Sequence, residues 1–230
     1  MLKTAFIPAF ALVGAIATSA PAVASEQQET ERIDRTASIR AGGQLRVKNF
    51  SGRITITGSR RGDIAIHAVR RAPRERLDHI KLEIRETSSG VTIEANKRDE
   101  DWRDTNNNVV DTELDIQVPE DIKLDVNVFS SDVHVTDVSG DQNVHTFSGN
   151  IDVNGATGSI DAETFSGDIE LKLAQGAGGR VDFDSFSGSL RSDAGMTTRS
   201  ASRRRVTGVV GTGGSNDYHF KTFSGDVRIR

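Results

Sequence analysis

Six serines follow a phenylalanine in this chain: Ser51, Ser130, Ser148, Ser166, Ser187 and Ser224. Five of them precede a glycine, a setting in which a serine can serve as an acyl-transfer nucleophile. That chemistry needs a general base within hydrogen-bond reach and donors for the developing oxyanion. One such serine would be a candidate; six equivalent ones are a repeat. None has the glycine two residues before the serine that defines the G-x-S-x-G elbow. The words around them, such as TFSGNIDV at 146–153, TFSGDIEL at 164–171 and TFSGDVRI at 222–229, read as structure. Glycine accepts positive φ at a sharp corner, and a serine hydroxyl can bond local backbone. No catalytic residue is assigned.

The next chemistry-bearing group is acidic. Asp161 and Glu163 are expected one coil from Asp182 and Asp184 on one polar face, an acidic ladder that supplies hard oxygens suited to Ca²⁺, or paired carboxylates suited to glycoside chemistry. The calcium-binding nonapeptide of β-rolls is absent, and a solvated face is the reading adopted. The four are kept as a candidate binding face. Five histidines show no metal-binding spacing, and cysteine is absent. Neither a metal nor a cofactor is expected. Arginines gather at 60–61, 70–71, 74 and 76, and again at 199 and 203–205. An exported chain would turn such clusters toward anionic headgroups or acidic polysaccharide. Without interleaved aromatics they read as solvated surface, and Trp102 reads as a loop residue folding back as a cap.

What must position these groups is a repeat. Aligned on the phenylalanine, copies fall at Phe50, Phe129, Phe147, Phe165, Phe186 and Phe223, three of them 18 residues apart. Each is followed two residues on by Gly52, Gly149, Gly167, Gly188 or Gly225, the copy at Phe129 carrying Ser131 instead. The slots five and three before the phenylalanine, the phenylalanine itself, and the slots four and six after are apolar except at Gln142 and Ser192. Polar residues alternate between them. Period-two alternation on both sides of a corner means strands with one buried face. So short a unit buries its apolar face only by stacking. The expected fold is all-β: a single-domain, parallel β-helix-like β-solenoid with coils of about 18 residues and the phenylalanines as a ladder along an inner edge.

Before Phe129 the pattern changes. IKLEIRETSSGVTIEANK (80–97) reads as an antiparallel hairpin, RDEDWRDTNNN (98–108) as a charged loop, and TELDIQVPEDIKLDVNVF (112–129) as strand, turn and strand. Residues 192–217 break the register as an irregular coil or a hairpin. Residues 1–24 carry Lys3, an apolar run and the small-residue end Ala22-Val23-Ala24, the pattern of a secretory signal cut near Ala24. Residues 25–40 read as a polar leader and 41–230 as the repeat domain, with no later membrane-spanning segment. The mature chain holds 28 basic and 33 acidic residues, a net charge of −5, which does not point to nucleic acid.

The run LDIQVPEDIKLDVNVFSSDVHVTDVSGDQNVHTFSGNIDVNGATGSIDAETFSGDIEL, with RRRVTGVVGTGGSNDYHFKTFSGDVRI at the end, resembles the putative-adhesin family of bacterial β-strand-repeat proteins, part of the toastrack group. The resemblance covers roughly residues 40–230. It implies an exported β-solenoid-like domain of no established enzymatic activity and carries over no catalytic residue. The expected function is a non-enzymatic envelope scaffold, adhesion or binding module, periplasmic or at the cell surface. Its partner is an envelope protein or polysaccharide. Two alternatives differ in class: a regulatory partner in an envelope-stress system acting through the arginine segments, and a carbohydrate-active β-helix enzyme acting through Asp161, Glu163, Asp182 and Asp184.

Overall fold

A computed structural model describes residues 27–102 and 108–230. The expected signal peptide lies outside the described residues, as do positions 103–107 of the charged loop. The chain opens with β1 (Gln28–Ser38), β2 (Gln44–Ser59) and β3 (Asp63–Pro73), then a short helix α1 (Arg74–His79). Next come β4 (Ile80–Thr87), β5 (Gly90–Arg98), β6 (Asp111–Pro119) and β7 (Lys123–Thr136). The segment read as a polar leader therefore contains a strand: β1 pairs antiparallel with β3 along its whole length.

The repeat follows as strand pairs around each corner: β8 (Gln142–Ser148) with β9 (Ile151–Ala156), and β10 (Ile160–Ser166) with β11 (Ile169–Leu173). Then come β12 (Gly178–Ser187) with β13 (Leu190–Ser192), and a hairpin of β14 (Met196–Ala201) and β15 (Arg205–Gly211). The chain closes with β16 (Asn216–Ser224) and β17 (Val227–Ile229). The β-solenoid is as expected: equivalent strands of stacked coils pair in parallel, with β2 on β7, β7 on β8 and β9, and β8 and β9 on β10 and β11. The antiparallel hairpin β4–β5 also stands where the sequence places it.

Coil order departs from chain order at one point. β10 and β11 pair with β16 and β17, which in turn pair with β12 and β13. The last coil of the chain is inserted between those of Phe165 and Phe186. The hairpin β14–β15 makes this possible, because β15 covers the outer edge of β12 antiparallel and returns the chain to the gap.

The core is the stack of inward slots. Val47, Val126, Val144, Ala162, Phe220 and Phe183 fill one row, and Ile54, Val133, Ile151, Ile169 and Val227 another. A satellite core of Ala72, Leu77, Ile80, Trp102 and Val110 closes the N-terminal end. There Trp102 stacks on His79 at 5.4 Å. Arg70 is buried beside it, its guanidinium bonded to Glu31 and the Ile80 carbonyl.

The corner itself is set by close backbone approach. At Gly167, φ is +150°, and a Cβ would lie 2.1 Å from the Gly149 carbonyl oxygen of the coil below. No side chain fits such a gap. One residue further on, a ladder of acceptors ties coil to coil. Asp132 accepts the Asn150 N–H at 2.9 Å, Asn150 accepts Asp168 N–H at 2.9 Å, and Asp168 accepts Asp226 N–H at 2.8 Å. Asp226 takes both the N–H and the hydroxyl of Ser189, at 2.8 and 2.9 Å. These donors hold the Asp226 carboxyl below its ordinary pKa, the Ser189 N–H first.

Candidate functional site

The six phenylalanines are not inside. The expected inner ladder is corrected by the structure: Phe50, Phe129, Phe147, Phe165, Phe223 and Phe186 point outward and are 41–55% exposed. The reason is strand parity. Period two from the inward slots five and three before the phenylalanine leads inward again at the residue just before it. That residue is Asn49, Val128, Thr146, Thr164, Thr222 or Ser185, and all six are buried. The phenylalanine is one step later and faces solvent.

The buried hydroxyls and amide earn their place by closing the corner. Thr146 donates to the Ser131 carbonyl and Thr164 to the Gly149 carbonyl, each at 3.3 Å. Thr222 donates to the Gly225 carbonyl at 3.0 Å, and Asn49 to the Thr112 carbonyl at 3.0 Å. The corner bond therefore belongs to the threonine, while the serines of the later coils (Ser130, Ser148, Ser166, Ser187, Ser224) stand exposed.

Outside, the rings stack face to face. Successive centroids are 4.8, 4.8, 4.9, 4.6 and 4.8 Å apart in the order Phe50, Phe129, Phe147, Phe165, Phe223, Phe186, with interplanar angles of 2–14°. Arg204 covers the free face of Phe186, its guanidinium carbon 4.5 Å from the centroid. The result is an aromatic strip about 24 Å long, repeating at the strand spacing. With roughly 200 Å² per phenylalanine, it exposes about 550 Å² of ring, at the upper end of apolar patches on monomeric proteins.

A groove of about 750 Å³ runs beside the strip. Its other wall is the outward row two residues before each phenylalanine, including Asn127, His145, Glu163, Lys221 and Asp184. Glu163 lies 3.5 Å from His145 and 3.5 Å from Lys221. Because the rings cover one another's faces, what the strip offers along its length is ring edges.

The acidic face is likewise rearranged. Asp182 and Asp184 are not one coil from Asp161 and Glu163; His219 stands between Asp161 and Asp182, and Lys221 between Glu163 and Asp184. Asp182 is bonded to Arg205. Ligand atoms of Asp161, Glu163 and His219 lie within 4.8 Å of one another, the one three-residue grouping of metal-ligating type among the described residues. Glu163 is already shared there with His145 and Lys221. The second outer row is mixed in charge: in spatial order it runs His134, Asp152, Glu170, Arg228, Arg191, with His134 2.9 Å from Asp152 and Glu170 3.0 Å from Arg230 in the adjacent coil. Burial raises the Asp152 pKa, opposed by His134. Most of the arginine clusters are engaged within the chain: Arg61 with Asp63, Arg70 with Glu31, Arg71 with Glu113, Arg74 with Asp78.

Residues 43–230 match the Toastrack DUF4097 family. The chain belongs to that family. Among solved structures, this toastrack chain is similar to a putative cell adhesion protein from Clostridium sporogenes, at 10% identity and a TM-score of 0.61, covering 86% of this chain and 99% of that one. A putative adhesin from Bacteroides fragilis also matches, at 13% identity and a TM-score of 0.32, covering 87% and 97%. A search of curated protein sequences returned no match. The first likeness bears on the fold alone. Among the described residues no helix is long and apolar enough to cross a membrane.

Proposed function

We propose that this toastrack domain is a non-enzymatic, adhesion-like binding module of the bacterial cell envelope, exported by the N-terminal signal and engaging its partner through the phenylalanine ladder. The observation that carries the reading is the ladder itself. Six large apolar side chains are held outward at constant spacing, 41–55% exposed, an apolar area larger than packing between neighbouring coils requires. The name of the Clostridium neighbour, a putative cell adhesion protein, is consistent with this role.

The enzyme alternative finds less support. Glycoside chemistry asks for two carboxylates with different protonation roles facing one bond. Here Lys221 and His219 separate the two acidic pairs, and Arg205 holds Asp182. A regulatory contact through the arginines would have to break ion pairs the fold already makes.

The test is fractionation of cells producing the chain with Phe129, Phe147 and Phe165 all changed to Ser. Retention in the envelope fraction is expected to fall, and to fall further than in an Ile169→Ala control, which destabilises the core and leaves the ladder intact. Unchanged retention, or turnover of a polysaccharide by the purified chain, would refute the reading.

A further inference from the structure

The ladder has a repeat of its own, and few occupants share it. An extended peptide presents same-face side chains about 6.8 Å apart, out of step with rings 4.6–4.9 Å apart. A sugar chain stacks on ring faces, and these rings cover one another's faces. A surface with the same step is a second copy of this ladder.

The polar row beside the rings adds a second, independent argument. In spatial order it reads Lys48, Asn127, His145, Glu163, Lys221, Asp184. Glu94 stands in register beyond Lys48, and Arg205 in register beyond Asp184. A two-fold axis in the plane of the interface and perpendicular to the ladder, passing between Phe147 and Phe165, reverses this row against itself. Lys48 then meets Asp184, His145 meets Glu163 and Asn127 meets Lys221, while Glu94 and Arg205, already paired within the chain to Arg85 and Asp182, stand opposite each other at the ends. No like charges coincide. A two-fold axis along the ladder sets each row against the other side of the strip and loses these pairs.

We propose that two copies of the chain associate face to face through their phenylalanine ladders, antiparallel, with the row from Lys48 to Asp184 as the charge-matching rim. This rests on the reading of the ladder as the binding surface and names its occupant. The rings are nearly parallel and evenly spaced, so contact made at one ring can recur along the others. Covering both strips removes about 1,100 Å² of ring surface from water, and the flanking rows bring the total into the range of standard interfaces. The contact is isologous and closes at two copies, leaving no ladder free to recruit more.

The experiment is sedimentation of the isolated chain from about 1 to about 100 µM, with Lys48→Glu, Asp184→Lys and the two combined. A dimer is expected for the native chain. Each single reversal opposes like charges twice per dimer and should weaken association about tenfold, and the double reversal should restore it. Geometry is read from spin labels on introduced cysteines, since the chain has none of its own. Two rings stand between the facing walls, so the distances are read by electron spin resonance and not by disulfide formation. A Ser130→Cys label should lie closer to a Ser224→Cys label on the second copy than to its own counterpart, which is three steps further along the ladder, about 14 Å. A native chain that stays monomeric at about 100 µM, a double reversal no better than the singles, or a 130–130 distance no longer than the 130–224 distance would each overturn the proposal. Monomeric behaviour combined with loss of envelope retention in the triple serine variant would overturn the self-association alone and leave the binding module standing.

Discussion

Phe165→Ala separates an outward ladder from an inner one by magnitude. Phe165 is 45% exposed and stacks on Phe147 and Phe223 at 4.9 and 4.6 Å. Of roughly 200 Å² for a phenylalanine, about 110 Å² is covered. Alanine would keep about a third of that. The lost burial, about 75 Å² at about 25 cal/mol per Å², is worth about 2 kcal/mol. The gap opens to solvent, so no cavity term is added. Ile169, four residues on, is 1% exposed in the core. Its truncation to alanine carries both transfer and cavity terms, about 4 kcal/mol. Phe186 stacks on one ring, with Arg204 over its other face, and is 55% exposed, so Phe186→Ala should cost about 1.5 kcal/mol by the same count. The assay is urea unfolding of the three variants at protein concentrations below self-association, because a dimer would add its own concentration-dependent stability. The order Ile169 > Phe165 > Phe186 is expected. A Phe165→Ala loss equal to that of Ile169→Ala would mean the ring is packed as a core side chain, and the outward ladder would be wrong.

Four further outcomes concern the corners. Gly167→Ala should abolish folding or cost several kcal/mol, read by circular dichroism and urea titration, because its Cβ would meet the Gly149 carbonyl oxygen at 2.1 Å. Thr164→Val should cost about 1 kcal/mol in thermal melts through loss of the bond to the Gly149 carbonyl. Ser166→Ala, at an exposed site, should cost less than about 0.5 kcal/mol. Asp226 has a lowered folded pKa, so its stabilising effect is present above the unfolded carboxylate value and is lost as pH falls through the folded one. Asp226→Asn, which places the side chain Asn150 uses at the same ladder position, should flatten that acid limb in pH-dependent melts. An unchanged limb would mean the Ser189 bonds are not formed in solution.

The repeat was legible because its apolar alternation is local, and parallel stacking is the way so short a unit closes a core. The outward ladder was also in the sequence, as parity: counting by two from Val144 or Ala162 reaches Thr146 or Thr164, not the phenylalanine. Hydrophobicity overrode the count there, since a recurring phenylalanine reads as core by composition. What no local signal encodes is the order of the coils. Phe223 lies 37 residues after Phe186 in sequence and yet sits between it and Phe165 in space. The break at 192–217 announces an irregularity without saying where the chain returns. The acidic face depended on that order and dissolved with it, whereas Trp102, judged by its solitary place among charges, did fold back as a cap.

The inserted coil also bears on why the ladder and its rim look as they do. Were β12 and β13 stacked directly on β10 and β11, Glu163 would face Asp184 and Asp161 would face Asp182, two like-charge contacts on adjacent strands that destabilise a sheet. Placing β16 and β17 between them puts Lys221 and His219 into those gaps. The rim becomes alternating, and the ring strip gains its fifth member without a break in spacing, 4.6 Å to one side and 4.8 Å to the other. β15, in turn, covers what would be an open strand edge and brings Arg204 over the last ring and Arg205 onto Asp182. The departure from sequential coil order thus removes two like-charge contacts from the rim, although on the second wall it sets Arg228 beside Arg191. In sequential order the rim would end on Asp184 and Lys221, and its reverse would set Lys221 against Lys48, so the inserted coil is also what lets the rim match its own reverse.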